Sequence, residues 1–296
     1  MDAVILIDKP AGITSAEVVR RIKRLVRPAR VGHLGTLDPF ATGLLPIMVG
    51  EATKLAPFLE GGNKEYVGAI KLGAETDTLD RDGAVIRTVP IPALEPARLA
   101  EVAAAFSGTI KQTPPIFSAI KRAGVPMYKL ARKDADVEPP PAREVEIKSL
   151  RLESAGCDRI NFGIVCGPGT YVRSLARDIG AALGTAAYLE ELRRTRSSGF
   201  QIEDALALEA VVAAFDSGNL AELAMMTPRE AVAALPEVAV DSALERRLHN
   251  GDSSALDMRA PVAVGHFKVI SESGALIAVA RATSRVTAVI ERIFNS

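Results

Sequence analysis

The stretch Gly32-His33-Leu34-Gly35-Thr36-Leu37-Asp38-Pro39-Phe40-Ala41-Thr42-Gly43-Leu44-Leu45-Pro46 constrains this chain more than any other. Gly32, Gly35 and Gly43 permit backbone conformations and close approaches that a side chain blocks. Pro39 fixes its own φ and pushes Asp38 away from the helical region. The segment is expected to form a stiff, shaped loop that presents one carboxylate, Asp38, and one imidazole, His33. Local chemistry leaves two readings open. An Asp before a Pro commonly starts a turn or caps a helix, and a carboxylate on such a loop is also suited to catalysis.

What precedes the loop is basic. Thr14 and Glu17 have capping-box spacing, and Val18, Val19, Ile22, Leu25 and Val26 recur at helical intervals. The opposite face carries Arg20, Arg21, Lys23, Arg24, Arg27 and, just beyond, Arg30, with no acid between Arg20 and Arg30. Basic helix faces are often merely solvated, but this one leads straight into the loop, which favours a polyanion. The chain holds 36 Lys+Arg and 36 Asp+Glu, so any such attraction must come from local clustering.

A chain of 296 residues with 48% hydrophobic and 24% charged residues has room for one large and one small globular domain. Apolar patterning predicts strands over 3–7, 44–49 and 65–72, and a pair over 143–152 and 160–165. Helices are predicted over 52–59, 95–106, 171–183 and from about 204 to 215. Residues 109–142 hold two proline clusters, a predicted strand at 117–120, and the cations Lys121, Arg122, Lys129, Arg132 and Lys133. This segment reads as an insertion or flap. From about residue 236 the texture shifts to a helix over 242–249 and strands over 262–264, 267–271, 276–282 and 286–293. The expected architecture is α+β, with a mixed or antiparallel central sheet in residues 1–235 and a small β-rich domain in 236–296.

Several chemistries lack their signatures. Cys157 and Cys166 form no C-x-x-C pair, and His33, His249 and His266 are scattered, so neither a disulfide scaffold nor a metal site is expected. The G-x-S-x-G elbow, the P-loop and the dinucleotide fingerprint are absent, and no cofactor is expected. The acidic stretch 73–83 lacks calcium-loop spacing and reads as a solvated loop. No signal peptide and no run near the roughly 18 apolar residues of a membrane span are seen, so a cytoplasmic location without a membrane partner is expected. Arg173 is unusual, because a cation at the start of a helix opposes the dipole. It is either simply exposed or has an anionic partner elsewhere.

The loop resembles the G-H-x-G-x-L-D-P-x-A-T-G motif of the TruB family, tRNA pseudouridine synthases that act on the T-loop. The resemblance continues through Asp8-Lys9-Pro10-x-Gly12, through Lys64-Glu65-Tyr66, and through Gln112-Thr113-Pro114-Pro115-Ile116-Phe117-Ser118-Ala119-Ile120-Lys121. It extends to Gly169-Thr170-Tyr171-Val172-Arg173-Ser174-Leu175, and so covers most of residues 1–200 in the family's order. The last sixty or so residues resemble, more loosely, a PUA-type RNA-binding domain.

The resemblance implies an isomerase that needs no cofactor or metal, with tRNA, through its T-arm, as partner and a monomer as the working unit. Uracil would be detached from C1′, rotated and rejoined through C5, with Asp38 as the catalytic carboxylate. A carboxylate in a dry pocket stays ionised only beside a cation, so Arg173 is the expected partner of Asp38. Tyr66 would stack on the base and assist proton removal, and Leu192 would exclude water. His33 would hold the opened T-loop. Lys9, Arg20, Arg24, Lys121, Arg132 and Tyr171 would contact the RNA. A non-catalytic tRNA-binding or folding protein using the same surface is the alternative, and an acid–base glycosidase lacks a nominated second carboxylate. If the basic helix face meets phosphates, Arg24→Ala should shallow the log–log salt dependence of tRNA binding by about one unit. An unchanged slope would return that face to the solvated class.

Overall fold

Alternating apolar residues build an 11-stranded mixed sheet. It is seen in a computed structural model that describes residues 1–295 apart from 119, 123, 132–136 and 285. Along its main path the strands run Leu206–Ala207, Ala3–Lys9, Thr42–Val49, Ala187–Ser197, Lys64–Leu72, Arg159–Cys166, Arg143–Ser154 and Gly108–Gln112. Two of these neighbours pair in parallel: Leu206–Ala207 with Ala3–Lys9, and Ala187–Ser197 with Thr42–Val49. The α+β class with a mixed central sheet is therefore as expected.

Strand pleating divides the apolar side chains between two faces. Ile5, Ile7, Leu45, Ile47, Tyr66, Ile70, Phe162 and Leu189 point to one face. There they meet Val18 and Ile22 of the helix Ser15–Leu25 and Leu175 and Ile179 of the helix Val172–Leu183. Val4, Leu6, Leu44 and Met48 point the other way, against Leu55, Leu59 and Phe200. Each fully buried Leu or Ile contributes about 1.5–3 kcal/mol. The first helix begins as its sequence suggests, with the Thr14 hydroxyl accepting from the Glu17 N–H at 3.0 Å. Its basic face is less bare than the 20–30 run implied, because Glu17 contacts both Arg20 and Arg21.

A second sheet of four strands, Glu237–Val240, Gly265–Ser271, Leu276–Ala282 and Ala288–Ile293, has its own core around Leu248, Phe267, Val269 and Ile277. Leu276, Val279 and Phe294 join the second face of the large sheet. Lys54 Nζ donates to the Ile293 carbonyl at 2.7 Å, and the Asn295 N–H donates to Glu51 at 2.9 Å. No described helix is long and apolar enough to cross a membrane.

Four predicted elements differ, the helix over 52–59 being a 3-10 helix Gly50–Leu55 followed by one α-helical turn, Ala56–Leu59. Residues 116–118 bend instead of extending, and pairing starts at Lys121–Arg122 with Val125–Pro126. The Ser118 N–H closes back on the Ile116 carbonyl at 2.9 Å, and the Phe117 carbonyl is taken by Arg173. The helix placed from about 204 begins at Leu208, because Leu206 and Ala207 first pair with Ile7 and Asp8. Residues 262–264 bend, and the strand starts at Gly265, whose φ of 120° suits glycine.

Gly43 is where the loop meets the sheet. Its φ is 100°, and a Cβ there would lie 2.4 Å from the Arg194 carbonyl oxygen. Only glycine allows the strand leaving the loop to close on Arg193 and Arg194. Gly43→Ala should destabilise the fold by about 2–4 kcal/mol. A melting temperature within a degree of the wild type would refute this close approach.

Candidate active site

Arg173, second residue of the helix Val172–Leu183, is 5% exposed and faces the loop. Its Nη2 donates to Asp38 Oδ1 at 3.1 Å, and its Nε lies 2.9 Å from Oδ2, an ion contact without hydrogen-bond alignment. Nη2 also donates to the Phe117 carbonyl at 2.9 Å, and Nη1 to the Thr78 carbonyl at 3.0 Å. Nη1 lies 3.4 Å from Asp80 Oδ2 as well. The unfavourable dipole at this helix start is thus met by two carboxylates. Asp38 keeps about a third of its side chain exposed, at 32%, so it is both held and reachable.

Asp80 is the residue that sequence reasoning missed. The 73–83 segment reads as solvated, and Asp77 and Asp82 are indeed exposed, but Asp80 is buried beneath Arg173. Leu79 takes a left-handed φ of 62°, which turns the chain inward. The Thr78 hydroxyl then donates to Asp80 Oδ1 at 2.6 Å, and the Asp82 N–H to the same oxygen at 3.1 Å. Burial pushes the Asp80 carboxyl above its usual range, opposed by Thr78, Arg173 and the Asp82 amide. A usable signal was present: a threonine two residues before an acid can hydrogen-bond that acid in place of water.

The Asp38 loop is pinned from behind. The Ser15 hydroxyl accepts from the Leu37 N–H at 2.9 Å, and the Gly12 N–H donates to the Pro39 carbonyl at 2.8 Å. Lys9 corrects an expectation. It is 0% exposed and cannot serve as a surface phosphate contact. Its ammonium donates to the carbonyls of Pro10 at 2.8 Å, Ile13 at 2.9 Å and Pro39 at 3.3 Å. Burial lowers its pKa to about 8, opposed by Asp38 and assisted by Arg194.

Tyr66 and Leu192 form the floor on neighbouring strands, 7% and 8% exposed. Burial pushes the Tyr66 phenol upward, and the adjacent Arg194 guanidinium opposes that. A cleft of about 660 Å³ opens beside them, lined by Phe40, Thr42, Gly68, Phe162, Leu192 and Arg193 among others. Asp38, Tyr66 and Arg173 do not line it; the cleft reaches the loop through Phe40 and Thr42. His33 is half-buried, with Nδ1 buried and unpartnered, and burial lowers its pKa.

Tyr171 exchanges two hydrogen bonds with the buried Gln112, at 2.8 and 3.1 Å, and the Arg143 guanidinium lies 5.1 Å from its ring centre. Arg20 and Arg24 are exposed on the first helix. Arg132 and the Lys121 side chain lie outside the described residues.

The chain has clear counterparts. A profile described as TruB family pseudouridylate synthase (N terminal domain) matches residues 23–172. A second, described as tRNA pseudouridylate synthase B C-terminal domain, matches residues 173–233. This chain belongs to the TruB family. Its relatives include tRNA pseudouridine synthase B of Geobacter sulfurreducens, 43% identical over 85% of this chain and 82% of that protein. The namesake from Geotalea uraniireducens is 40% identical over 95% and 92%. Among solved structures, a Cbf5-Nop10-Gar1 complex superposes with a TM-score of 0.76 at 26% identity, covering 99% of this chain and 85% of that one. A structure of an H/ACA RNP bound to a substrate RNA containing 2′-deoxyuridine gives 0.74 at 25%, with the same coverage.

In this TruB-family site Lys9 offers a test by pH. Its folded pKa lies below that of free lysine, so between about 8 and 10.5 the unfolded chain binds the extra proton. Its contribution to stability therefore rises with pH across that window, and the penalty for burying the charge is fully present below it. Lys9→Met should remove that rise from the pH dependence of the melting temperature. A mutant curve parallel to the wild type from pH 8 to 10.5 would place the ammonium in solvent.

Proposed function

We propose that this protein converts the T-loop uridine of tRNA, position 55, to pseudouridine, with Asp38 as the catalytic carboxylate. Membership of the TruB family and relatives named tRNA pseudouridine synthase B support an isomerase acting on tRNA. The observation that carries the role of Asp38 is its two-point contact with the buried Arg173, on a loop fastened by Ser15, Gly12 and Lys9. Such a carboxylate is preorganised, so little reorganisation is left to the reaction.

Asp38 assists cleavage of the bond between C1′ and N1, and the freed uracil rotates within the site. C1′ then joins C5, C5 gives up its proton, and N1 gains one, so the change is a net isomerisation. Tyr66 stacks on the base and assists the proton transfer from C5. Leu192 packs against base and phenol and keeps water out. Arg173 holds Asp38 in place and oriented, and Asp80 holds Arg173 from its other side.

The uridine must first leave its stack, at a cost of a few kcal/mol. His33 helps hold the opened T-loop. Arg20 and Arg24 on the first helix, Tyr171, and the insertion's Lys121 and Arg132 contact the RNA and offset the cost. The catalytic domain spans residues 1–235 and a PUA-type RNA-binding domain spans 236–296. The protein works as a monomer in the cytoplasm.

Wild-type protein should form pseudouridine in a T-arm transcript, read by mass spectrometry, and Asp38→Asn should lose at least about 1,000-fold in rate while still binding tRNA. A wild-type protein that binds the transcript but forms no pseudouridine would leave only the RNA-binding reading. Arg173→Ala should lower kcat about 100-fold and change tRNA affinity no more than about threefold. Equal losses in both would make Arg173 a phosphate contact instead.

A further inference from the structure

The 660 Å³ cleft beside Leu192 has four arginines in its lining, and three of them are already committed to carboxylates. Arg193 donates to both carboxylate oxygens of Asp8, at 3.0 and 2.8 Å. Arg159 meets Glu191 at 2.8 Å, and Arg151 meets Glu153 at 3.1 Å. Arg81 is the fourth, and its Nε lies 4.0 Å from Asp82 Oδ1, the outer limit of an ion contact. Both of those side chains are open to water, 42% and 58% exposed, so the pair contributes about 0–1 kcal/mol. Arg81 thus brings an accessible and largely uncommitted cation to the cleft.

It is nevertheless held at both ends. The Arg81 N–H donates to the Leu189 carbonyl at 3.1 Å, and the Leu189 N–H donates to the Leu79 carbonyl at 3.0 Å. The turn therefore rides on the strand Ala187–Ser197, which also carries Leu192, through a parallel bridge between Asp80 and Leu189. At its far end the guanidinium carbon stands 5.7 Å from the ring centre of Phe40. That ring is 4% exposed and lies two residues beyond Asp38. A cation over an aromatic face is held without using its N–H donors. The apolar stem of an arginine can also simply cover such a ring, which accounts for the contact but not for the absence of a close acid beside this arginine alone among the four.

The surroundings favour an anionic ligand. Asp38 and Asp80 both sit at this end of the cleft, gathered by Arg173, and a polyanion approaching them is repelled. A cation with spare donors on the same rim offsets that repulsion and fixes the register of what enters. The planar donor edge of a guanidinium matches the paired oxygens of a phosphate. We propose that Arg81 grips a backbone phosphate of the substrate RNA at the mouth of this cleft. Its part is binding and register, and the chemistry stays with Asp38. The proposal rests on the RNA-modifying reading above.

Equilibrium binding of a T-arm stem-loop and the single-turnover rate at saturating enzyme, compared among wild type, Arg81→Met and Arg81→Lys, test this contact. Arg81→Met keeps an apolar stem over Phe40 and removes the charge. It should weaken binding about tenfold, shallow the log–log salt slope by about one unit, and leave the saturated rate within about twofold. Arg81→Lys should keep the wild-type slope. When loop phosphates are replaced one at a time by uncharged methylphosphonates, one position should cost the wild type about tenfold and cost Arg81→Met almost nothing. Wild-type affinity and slope in Arg81→Met, or no phosphate coupled to it, would make Arg81 a cover for Phe40 and overturn the proposal. A slower saturated rate with unchanged binding would also overturn it, placing Arg81 behind Asp80 and Arg173 instead. Binding needs no turnover, so coupled losses in a protein that forms no pseudouridine would keep this contact and remove the catalytic reading. A wild-type protein that does not bind the stem-loop would remove both.

Discussion

The guanidinium of Arg173 is the contact on which the remainder of the site depends. A buried arginine is costly unless nearly all its donors are taken and its charge is met. Here the partners come from three segments distant in sequence: Asp38 on the glycine loop, Thr78 and Asp80 on the acidic turn, and Phe117 in the insertion. Removing any one leaves the others holding an under-satisfied charge, so the arrangement is close to all-or-none. The same helix start fastens the insertion twice more, through Ser174 to the Thr113 carbonyl at 2.8 Å and through the Gln112–Tyr171 exchange. The root of the insertion is therefore part of the scaffold that holds Arg173 and Asp38.

The large sheet supplies the rest of the rigidity. Its strand Ala187–Ser197 runs antiparallel to Lys64–Leu72 and parallel to Thr42–Val49. This places Leu192 and Arg194 beside Tyr66 and beneath the loop's exit. Gly43 is the joint, close enough to Arg194 that the loop's far end has little freedom to swing. A site built this way favours positioning over motion.

Much of this was legible in the residues. The glycine–aspartate–proline spacing of the loop, the helical repeat before it and the alternation of the main strands all carry local physical signals, and Arg173 stood out because its helix start disfavoured it. What was not legible depends on pairing and burial. Leu206–Ala207 is too short to show a period and exists because Ile7 and Asp8 offer it an edge. Asp80 sits among turn residues that normally face water, and only the left-handed Leu79 turns it inward. Lys9, beside Asp8 and just before a proline turn, and Arg194, in the basic run Arg193-Arg194-Thr195-Arg196, both look like surface, yet both are fully buried. A one-dimensional charge pattern does not distinguish a cation aimed at solvent from one aimed at backbone carbonyls.

The buried Lys9 amine has a consequence beyond holding Pro39. At a pKa of about 8 a substantial fraction of it is the uncharged, nucleophilic amine in mildly alkaline solution, yet it is sealed from reagents in the closed fold. An amine-reactive acylating probe reaches it only when the turn around residues 8–13 lifts away from the Asp38 loop. The rate of its modification is then a clock for that opening. The protein carries, in the last residue of its N-terminal strand and directly behind Asp38, its own reporter of how often this loop comes apart.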